Sequence, residues 1–286
     1  MAVFNLGSIN IDHFYEVAHL PAPGETIAAK TYRTGLGGKG ANQSVAAARA
    51  GAKVFHGGAV GAGGEWARAA LGSFGVDTSN VVKLAEPSGH AVICVDPDAE
   101  NSIVIVPGAN RRLTGADAEA ALRFAKVGDV LLLQNETSAQ ADAARIGREK
   151  GLFVIYSAAP FDVRAVQAVL PYIDMLVMNE VEAQQLHEAL GAAELPQTVI
   201  TLGARGAVWC KSGSEIAQPG FEVGPIDTTG AGDCFTGALA AAMDRGLPGT
   251  DVLRFAVAAS ALQVTKPGTA AAMPGLEEIQ SFLNDQ

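Results

Sequence analysis

Cysteine is scarce. Three residues, Cys94, Cys210 and Cys234, are spread over 286 positions with no metal-type spacing, which excludes a disulfide framework and a cysteine-based zinc site and leaves them as packing residues. Long apolar runs are missing as well. Every apolar stretch is broken well short of the ~18 residues of a membrane span, so no transmembrane segment is expected. The start, MAVFNLGSIN, has neither a basic leader nor an apolar core with a small-residue cleavage site; it reads as a first strand, and a cytoplasmic location is the expectation. Positive charge is in deficit, 20 Lys and Arg against 30 Asp and Glu, for a formal charge of −10. No basic cluster interleaved with aromatics offsets it locally, which argues against nucleic acid as a partner. His13, His19, His56, His90 and His187 fall at no paired helical spacing and beside no nucleophile motif, so a hydrolase or metalloenzyme has no anchor. Internal repeats and low-complexity tails are absent.

What is present is a rhythm. Short β-branched runs such as AVFNLGS, KVFHGGAV, DVLLLQNE, GLFVIYS, MLVMNE and TVITLG alternate with alanine-rich stretches such as ANQSVAAARAG and GEWARAALGSFG. That alternation predicts an α/β fold built from βαβ units around a mainly parallel sheet flanked by helices. The length suits a single domain, 1–286, with an appendage. Two regions break the rhythm, 11–34 and 88–106, where strand-like pieces flank Pro-Gly or Asp-Pro-Asp turn signals with no helix between them. They read as a small antiparallel β-sheet lid over one end of the main sheet, the end at which open α/β sheets bind ligands.

Asp227-Thr-Thr-Gly-Ala-Gly-Asp233, followed by the helical CFTGALAAAMDRG, is the segment most suggestive of chemistry. Gly230, Ala231 and Gly232 leave successive backbone N–H groups unobstructed at a helix start, which makes a nest for an anionic phosphate. The Asp233 carboxylate beside it stands where it can accept a hydroxyl proton. Equally, an Asp before an alanine-rich helix is an ordinary cap, and glycine pairs are ordinary turns. Gly35 to Gly40 match G-x-G-x-x-G, yet they do not close a first strand as a dinucleotide fingerprint does, and no G-K-[ST] of a Walker A loop occurs. Asn10 and Asp12, two apart on an extended segment, could face one side and take the paired hydroxyls of a sugar; a turn with Asx hydrogen bonds is the alternative. Asn179 and Glu182 form N-x-x-E before a helical run, a capping-box signature.

These segments occur in an order that resembles the ribokinase-like family of sugar and nucleoside kinases. The resemblance rests on Gly7-Ser-Ile-Asn-Ile-Asp12, Pro23-Gly-Glu25, Gly37-Gly-Lys-Gly-Ala-Asn-Gln43, Gly108-Ala-Asn110, Gln134-Asn-Glu136, Asn179-Glu-Val-Glu182, Thr201-Leu-Gly-Ala-Arg-Gly206, the Asp227–Asp233 motif and Val264-Thr-Lys-Pro-Gly268, and so spans the whole chain. It implies a three-layer fold and ATP-dependent phosphoryl transfer to a small sugar, ribose ahead of a nucleoside, a ketohexose or a deoxysugar, with a catalytically silent sugar sensor as the other alternative; Asp233 is then the base and Gly230, Ala231 and Gly232 the anion nest. It implies sugar contacts from Asn10, Asp12, Gly38, Lys39, Asn42 and Glu136. For ATP it implies Asn179, Thr201, Leu202, Gly203, Ala204, Arg205, Gly206 and Gly232, and for Mg²⁺ Asn179 and Glu182. A K⁺ site is implied over Asp227, Thr229, Gln263, Lys266, Gly268 and Ala272, mostly through backbone carbonyls, and a homodimer through the lid. Ala272 departs from the usual serine, Lys266 from the usual arginine, and Ser157-Ala-Ala-Pro160 from the usual N-P-A-P.

Overall fold

Val130–Gln134 reads VLLLQ and is buried at all five positions. A strand covered on both faces needs no alternation, and in this chain the two faces meet different helices. The computed structural model describes every residue except 99, 192 and 212. Its strands are β1 (Val3–Leu6), β2 (Asn10–Glu16), β3 (Thr31–Gly37), β4 (Val54–Ala62), β5 (Asp77–Pro87), β6 (Gly89–Val95), β7 (Asn101–Val106), β8 (Val130–Gln134), β9 (Phe153–Ser157), β10 (Met175–Asn179), β11 (Gln197–Thr201), β12 (Ala207–Lys211) and β13 (Ser214–Gln218). Its helices are α1 (Lys39–Arg49), α2 (Glu65–Ser73), α3 (Gly115–Ala121), α4 (Gln140–Glu149), α5 (Val163–Val169), α6 (Glu180–Leu190), α7 (Ala231–Asp244), α8 (Gly249–Gln263) and α9 (Leu276–Asn284).

Among the described residues, nine strands form one sheet in the order β13-β12-β11-β10-β9-β8-β1-β4-β5. All neighbours are parallel except β11–β12 and β12–β13. Val130, Leu132, Ile155 and Val177 point to one face and pack with α1, α7 and α8 residues such as Val45, Leu239 and Leu253. Leu131, Leu133, Val154 and Leu176 point to the other, against Ala118 of α3, Ala143 of α4, Val166 of α5 and Leu186 of α6. This is the expected three-layer α/β sandwich. No helix among the described residues is long and apolar enough to cross a membrane.

The lid is a four-stranded sheet, order β3-β2-β6-β7, assembled from the two regions that break the βαβ rhythm. One expectation is corrected here. Its central pair, β2 with β6, is parallel and only the outer pairs are antiparallel, because β2 and β6 each enter the lid directly from the main sheet's end. The glycine run spans the end of the lid and the helix after it: Gly35 and Gly37 are the end of β3, and Gly38, at φ 92°, caps α1. A side chain at Gly37 would displace Asp12, since a Cβ there would stand 2.0 Å from its carboxylate oxygen.

Candidate active site

Strands β1, β8, β9, β10 and β11 end at Leu6, Gln134, Ser157, Asn179 and Thr201, so the motif residues that follow each strand gather along one carboxyl edge of the sheet. Helices α1 and α7 start at the same edge. They lie close because Gly237 has no side chain: a Cβ there would come within 2.4 Å of the Gln43 carbonyl and 2.6 Å of Ala46 Cβ. One turn earlier on the same helical face is Asp233, and this packing brings α1 amides onto it. Asn42 Nδ2 donates to one carboxylate oxygen at 3.0 Å and Gln43 Nε2 to the other at 3.1 Å. Asp233 is buried, yet it lines a cavity of about 240 Å³ together with Lys39, Asn179, Glu182, Gly230, Ala231, Gly232 and Thr236.

Gln43 is held in turn. Gln134 Nε2 donates to its Oε1 at 2.7 Å and to Asn5 Oδ1 at 3.0 Å, Asn5 donates to Ser44 Oγ, and Ser44 meets His56 Nδ1. Burial holds His56 near a pKa of about 4 against the opposing hydrogen bond to the Gly7 carbonyl, so this network carries no net charge at neutral pH and acts as a fixed scaffold of dipoles behind Asp233. The acceptor Asn42 Oδ1 is buried without a protein partner, and an orphaned acceptor beside a carboxylate suits a ligand hydroxyl.

The head of α7 fits the anion-nest reading in a refined form. Gly230, at φ 82°, caps the helix in the left-handed region. Ala231 N–H is drawn to the Thr228 carbonyl at 3.3 Å, which leaves the Gly232 and Asp233 N–H groups, at the second and third helical positions, as the donors best placed for an anion. A second cavity, about 640 Å³, opens on the other side of Gly232 and Ala231 and is lined by Thr201, Gly203, Ala204, Gly206, Phe221, Val257 and Val264 among others. The two cavities share Thr201, Thr228, Ala231 and Gly232, so a long ligand can lie across both with its anionic part over the nest. The Gly203–Arg205 turn that joins β11 to β12 forms one wall. Leu202 and Arg205, expected to bind ATP, do not line either cavity; the Arg205 guanidinium is drawn outward to Glu180 at 2.6 Å.

Sugar-site candidates converge from the lid and from the β8 edge. Asn10 and Asp12 alternate with the outward His13 on β2 and are both buried. Asn110 Nδ2 donates to Asn10 Oδ1 at 2.8 Å, which aims the Asn10 amide N–H groups elsewhere as donors. Glu136 accepts from Ser8 Oγ and, at 3.0 Å, from the Lys39 backbone N–H, so it caps α1 where Gly38 cannot. Burial first, then repulsion from Glu136 and Asp233, push the Asp12 carboxyl up to about 6, with Arg33 pulling the other way. Arg33 stacks on Phe14, 3.8 Å from the ring centroid, on the same lid face as Asp12. The Asp233 carboxylate holds Lys39 above its usual pKa in spite of burial, with Glu136 and Glu182 adding to it. Lys39 is therefore a firm cation among carboxylates. Asn110, Gln43 and Gln134 were in view as letters of motifs; their roles rest on contacts between distant helices and loops.

Asn179 and Glu182 form a full capping box, each side chain bonded to the other's backbone N–H at 2.8 Å. Both still face the smaller cavity with spare carboxylate and amide lone pairs. Among the described residues no group of three or more His, Cys, Asp or Glu forms a ready metal cage. An ion held through water and ligand phosphates at one or two oxygen side chains is what Mg²⁺ prefers, and the donor set fits it. The residues implied for K⁺ also come together, but differently from expectation. Gln263 Nε2 donates to the Thr229 carbonyl at 2.9 Å and the Gly268 carbonyl at 3.0 Å, Lys266 pairs with Glu278, and Ala272 is a buried methyl. The position from which a monovalent cation would bridge the Thr229 and Gly268 carbonyls is taken by the Gln263 amide nitrogen, so the set as arranged does not fit one.

Residues 2–276 match the family model described as pfkB family carbohydrate kinase. The chain is 36% identical to a ribokinase of Haemophilus influenzae, with 97% of each chain covered, and 31% identical to a deoxyribokinase of Salmonella typhi, with 99% of each covered. Among solved structures it is similar to Arabidopsis thaliana ribokinase complexed with ribose and ATP, at a TM-score of 0.88 and 32% identity over 99% of each chain.

Proposed function

The chain belongs to the pfkB family of carbohydrate kinases, and from that premise we propose that it transfers the γ-phosphoryl group of ATP to the primary hydroxyl of D-ribose. The observation that carries this reading is Asp233, held by two amides in the smaller cavity next to Gly232, where that cavity meets the larger one, with a helix-start nest at its own backbone. The larger cavity takes the nucleoside part of ATP between the Gly203–Gly206 turn and α8. The smaller takes the phosphates and the reacting end of the sugar.

Asn10, Asp12 and Asn42 orient the sugar, with Gly38 giving close backbone approach, and Asp233 accepts the hydroxyl proton as the oxygen moves onto phosphorus. The developing negative charge lies over the Gly232 and Asp233 N–H groups and near Lys39. In a loose transition state such positioning and charge stabilisation dominate over early proton removal. Asn179 and Glu182 would hold Mg²⁺, which would supply positive charge to offset that of the phosphates. Potassium enters this reading only as a competitor of the Gln263 amide for the Thr229 and Gly268 carbonyls. The whole chain, 1–286, acts as one domain with the lid closing on the sugar. All six residues of β7 are exposed, four of them the run Ile103–Val106, and an apolar strand at a sheet edge supports a homodimer formed through the lid. The net charge of −10 disfavours nucleic acid as a partner, and a cytoplasmic location is part of the same proposal.

A vicinal diol suits a carboxylate and an amide two residues apart, and 2-deoxyribose lacks half of it. A coupled assay of ATP consumption over ribose, 2-deoxyribose, fructose and nucleosides tests the assignment. Ribose should exceed 2-deoxyribose in kcat/KM by at least about tenfold, the worth of one hydrogen bond made to a charged group. A higher value on the deoxysugar or a nucleoside would overturn the substrate and keep the chemistry.

The raised Asp12 pKa gives a second expectation. A proton on Asp12 competes with the sugar hydroxyls that need its carboxylate, so kcat/KM for ribose should be flat above about pH 7 and fall about tenfold per unit below about pH 6. Arg33 opposes the shift, so Arg33→Gln should move the inflection upward, and Asp12→Asn should abolish it at a much lower kcat/KM. An inflection unmoved by Arg33→Gln would mean that another group titrates.

A further inference from the structure

Thr229 and Gly268 sit in separate loops, one leading into the α7 nest and one following α8. Two side chains clamp them from opposite sides. Asp227 accepts from the Thr229 N–H through one oxygen and from the Gly268 N–H through the other, each at 2.9 Å. Burial works to raise the Asp227 pKa, but these N–H donors outweigh it and hold the carboxyl below its ordinary value. Gln263, fully buried, donates from a single Nε2 to the carbonyls of the same two residues at 2.9 and 3.0 Å. The backbone N–H and C=O of both residues thereby each have a side-chain partner, and the single Nε2 occupies the position between the two carbonyls. Three positions earlier on α8, Ser260 Oγ donates to the Ala231 carbonyl at 3.2 Å, so one helix face holds both the approach to the nest and its first residue. Gly230 and Gly268, at φ 82° and 94°, let the two loops turn sharply beside the clamp.

We propose that the Gln263 amide does the work of a monovalent cation in this enzyme: it ties the Thr229 and Gly268 carbonyls together, holds the Gly230–Asp233 nest in its anion-binding shape, and makes phosphoryl transfer independent of K⁺. The amide's orientation follows from its surroundings. Gln263 Oε1 is buried with no protein donor, and turning the amide over would set that oxygen against two carbonyl oxygens, a repulsive arrangement unless a cation lay among all three. As Nε2 already satisfies both carbonyls, a cation must displace a buried neutral donor and lose its own hydration, while Ala272 offers no hydroxyl in return. A preorganised neutral clamp needs no ion to be present when ATP arrives.

The inference rests on the kinase assignment for its catalytic part, and its binding part stands without it. Wild-type protein is compared in buffers of equal ionic strength made with KCl, NaCl or choline chloride, by thermal unfolding and by steady-state turnover. Gln263→Ser, which removes the amide and reopens the carbonyls, is measured alongside. For the wild type, Tm and kcat should be the same in all three salts within error. For the variant, kcat in choline should fall by about tenfold, the worth of the lost hydrogen bonds on the nest, and K⁺ should restore part of it and raise Tm through binding to the native state. A wild-type Tm raised by K⁺ over choline, or turnover stimulated several-fold by K⁺, would overturn the proposal and show that the amide turns to present Oε1 to the ion. If the variant does not fold, the wild-type comparison alone decides. Should no sugar be phosphorylated at all, a salt-independent Tm still supports the clamp while the kinase assignment fails.

Discussion

Asp233→Asn should lower kcat by about three to four orders of magnitude, the range for a positioned general base whose removal also disturbs the transition-state charge field. Sugar binding should change much less than kcat, because Asp12 and Asn10 on the lid, two of the three side chains that orient the sugar, do not touch Asp233. The substitution is not silent for the fold. Asn42 Nδ2 and Gln43 Nε2 both point donors at the carboxylate, and an amide at 233 offers an acceptor to only one of them. One donor is left facing another, at a cost of about 1 to 3 kcal/mol that a fall in Tm would report. Single-turnover kinetics with calorimetric titration of ribose separates the two effects. A kcat within about tenfold of wild type would remove Asp233 from the role of base.

Gly232→Ala should be the reverse: harmless to folding and severe for catalysis. Its φ is not in the left-handed range, and a Cβ there would meet no protein atom within 4 Å. The methyl would project into the space shared by the two cavities that Gly232 lines, above the N–H groups that receive the transferring phosphoryl. Obstructing one such donor costs about 10²- to 10³-fold in kcat. Tm should be unchanged or slightly higher, because alanine is the better helix former. A fall in activity accompanied by unfolding would instead mean that Gly232 is structural. Gly237, one turn further on, gives the contrast: it is packed against the α1 backbone, so alanine there would push α1 away from Asp233.

Much of this was legible in the residues alone, and the parts that were not share a cause. Apolar runs such as VLLLQ with alanine-rich helices between them predict a parallel sheet, and the D-T-T-G-A-G-D motif predicts a nest with a carboxylate because both depend on local backbone geometry. The parallel pairing of β2 with β6 was hidden, since the partners are Asn10 with Gly89 and onward and nothing local to either strand states its direction. The support of Asp233 by Gln43 depends on α1 and α7 touching at Gly237, a contact between residues far apart in sequence. Arg205 looked like part of a nucleotide turn, and only the position of Glu180 shows that its side chain is drawn away. Gln263 is the sharpest case. By resemblance it joins Thr229 and Gly268 in a cation site, whereas in the structure its side-chain amide bonds both of their carbonyls itself.

The central claim is transfer of the γ-phosphoryl group to the primary hydroxyl of ribose, and a ³¹P spectrum of the reaction of ATP, Mg²⁺ and ribose tests it directly. The account predicts a sugar monophosphate formed in step with ADP, its phosphorus coupled to the two hydrogens of a primary carbon, and formed about three to four orders of magnitude more slowly with Asp233→Asn. ADP accumulating with inorganic phosphate alone, or a phosphate borne on a secondary carbon, would contradict it.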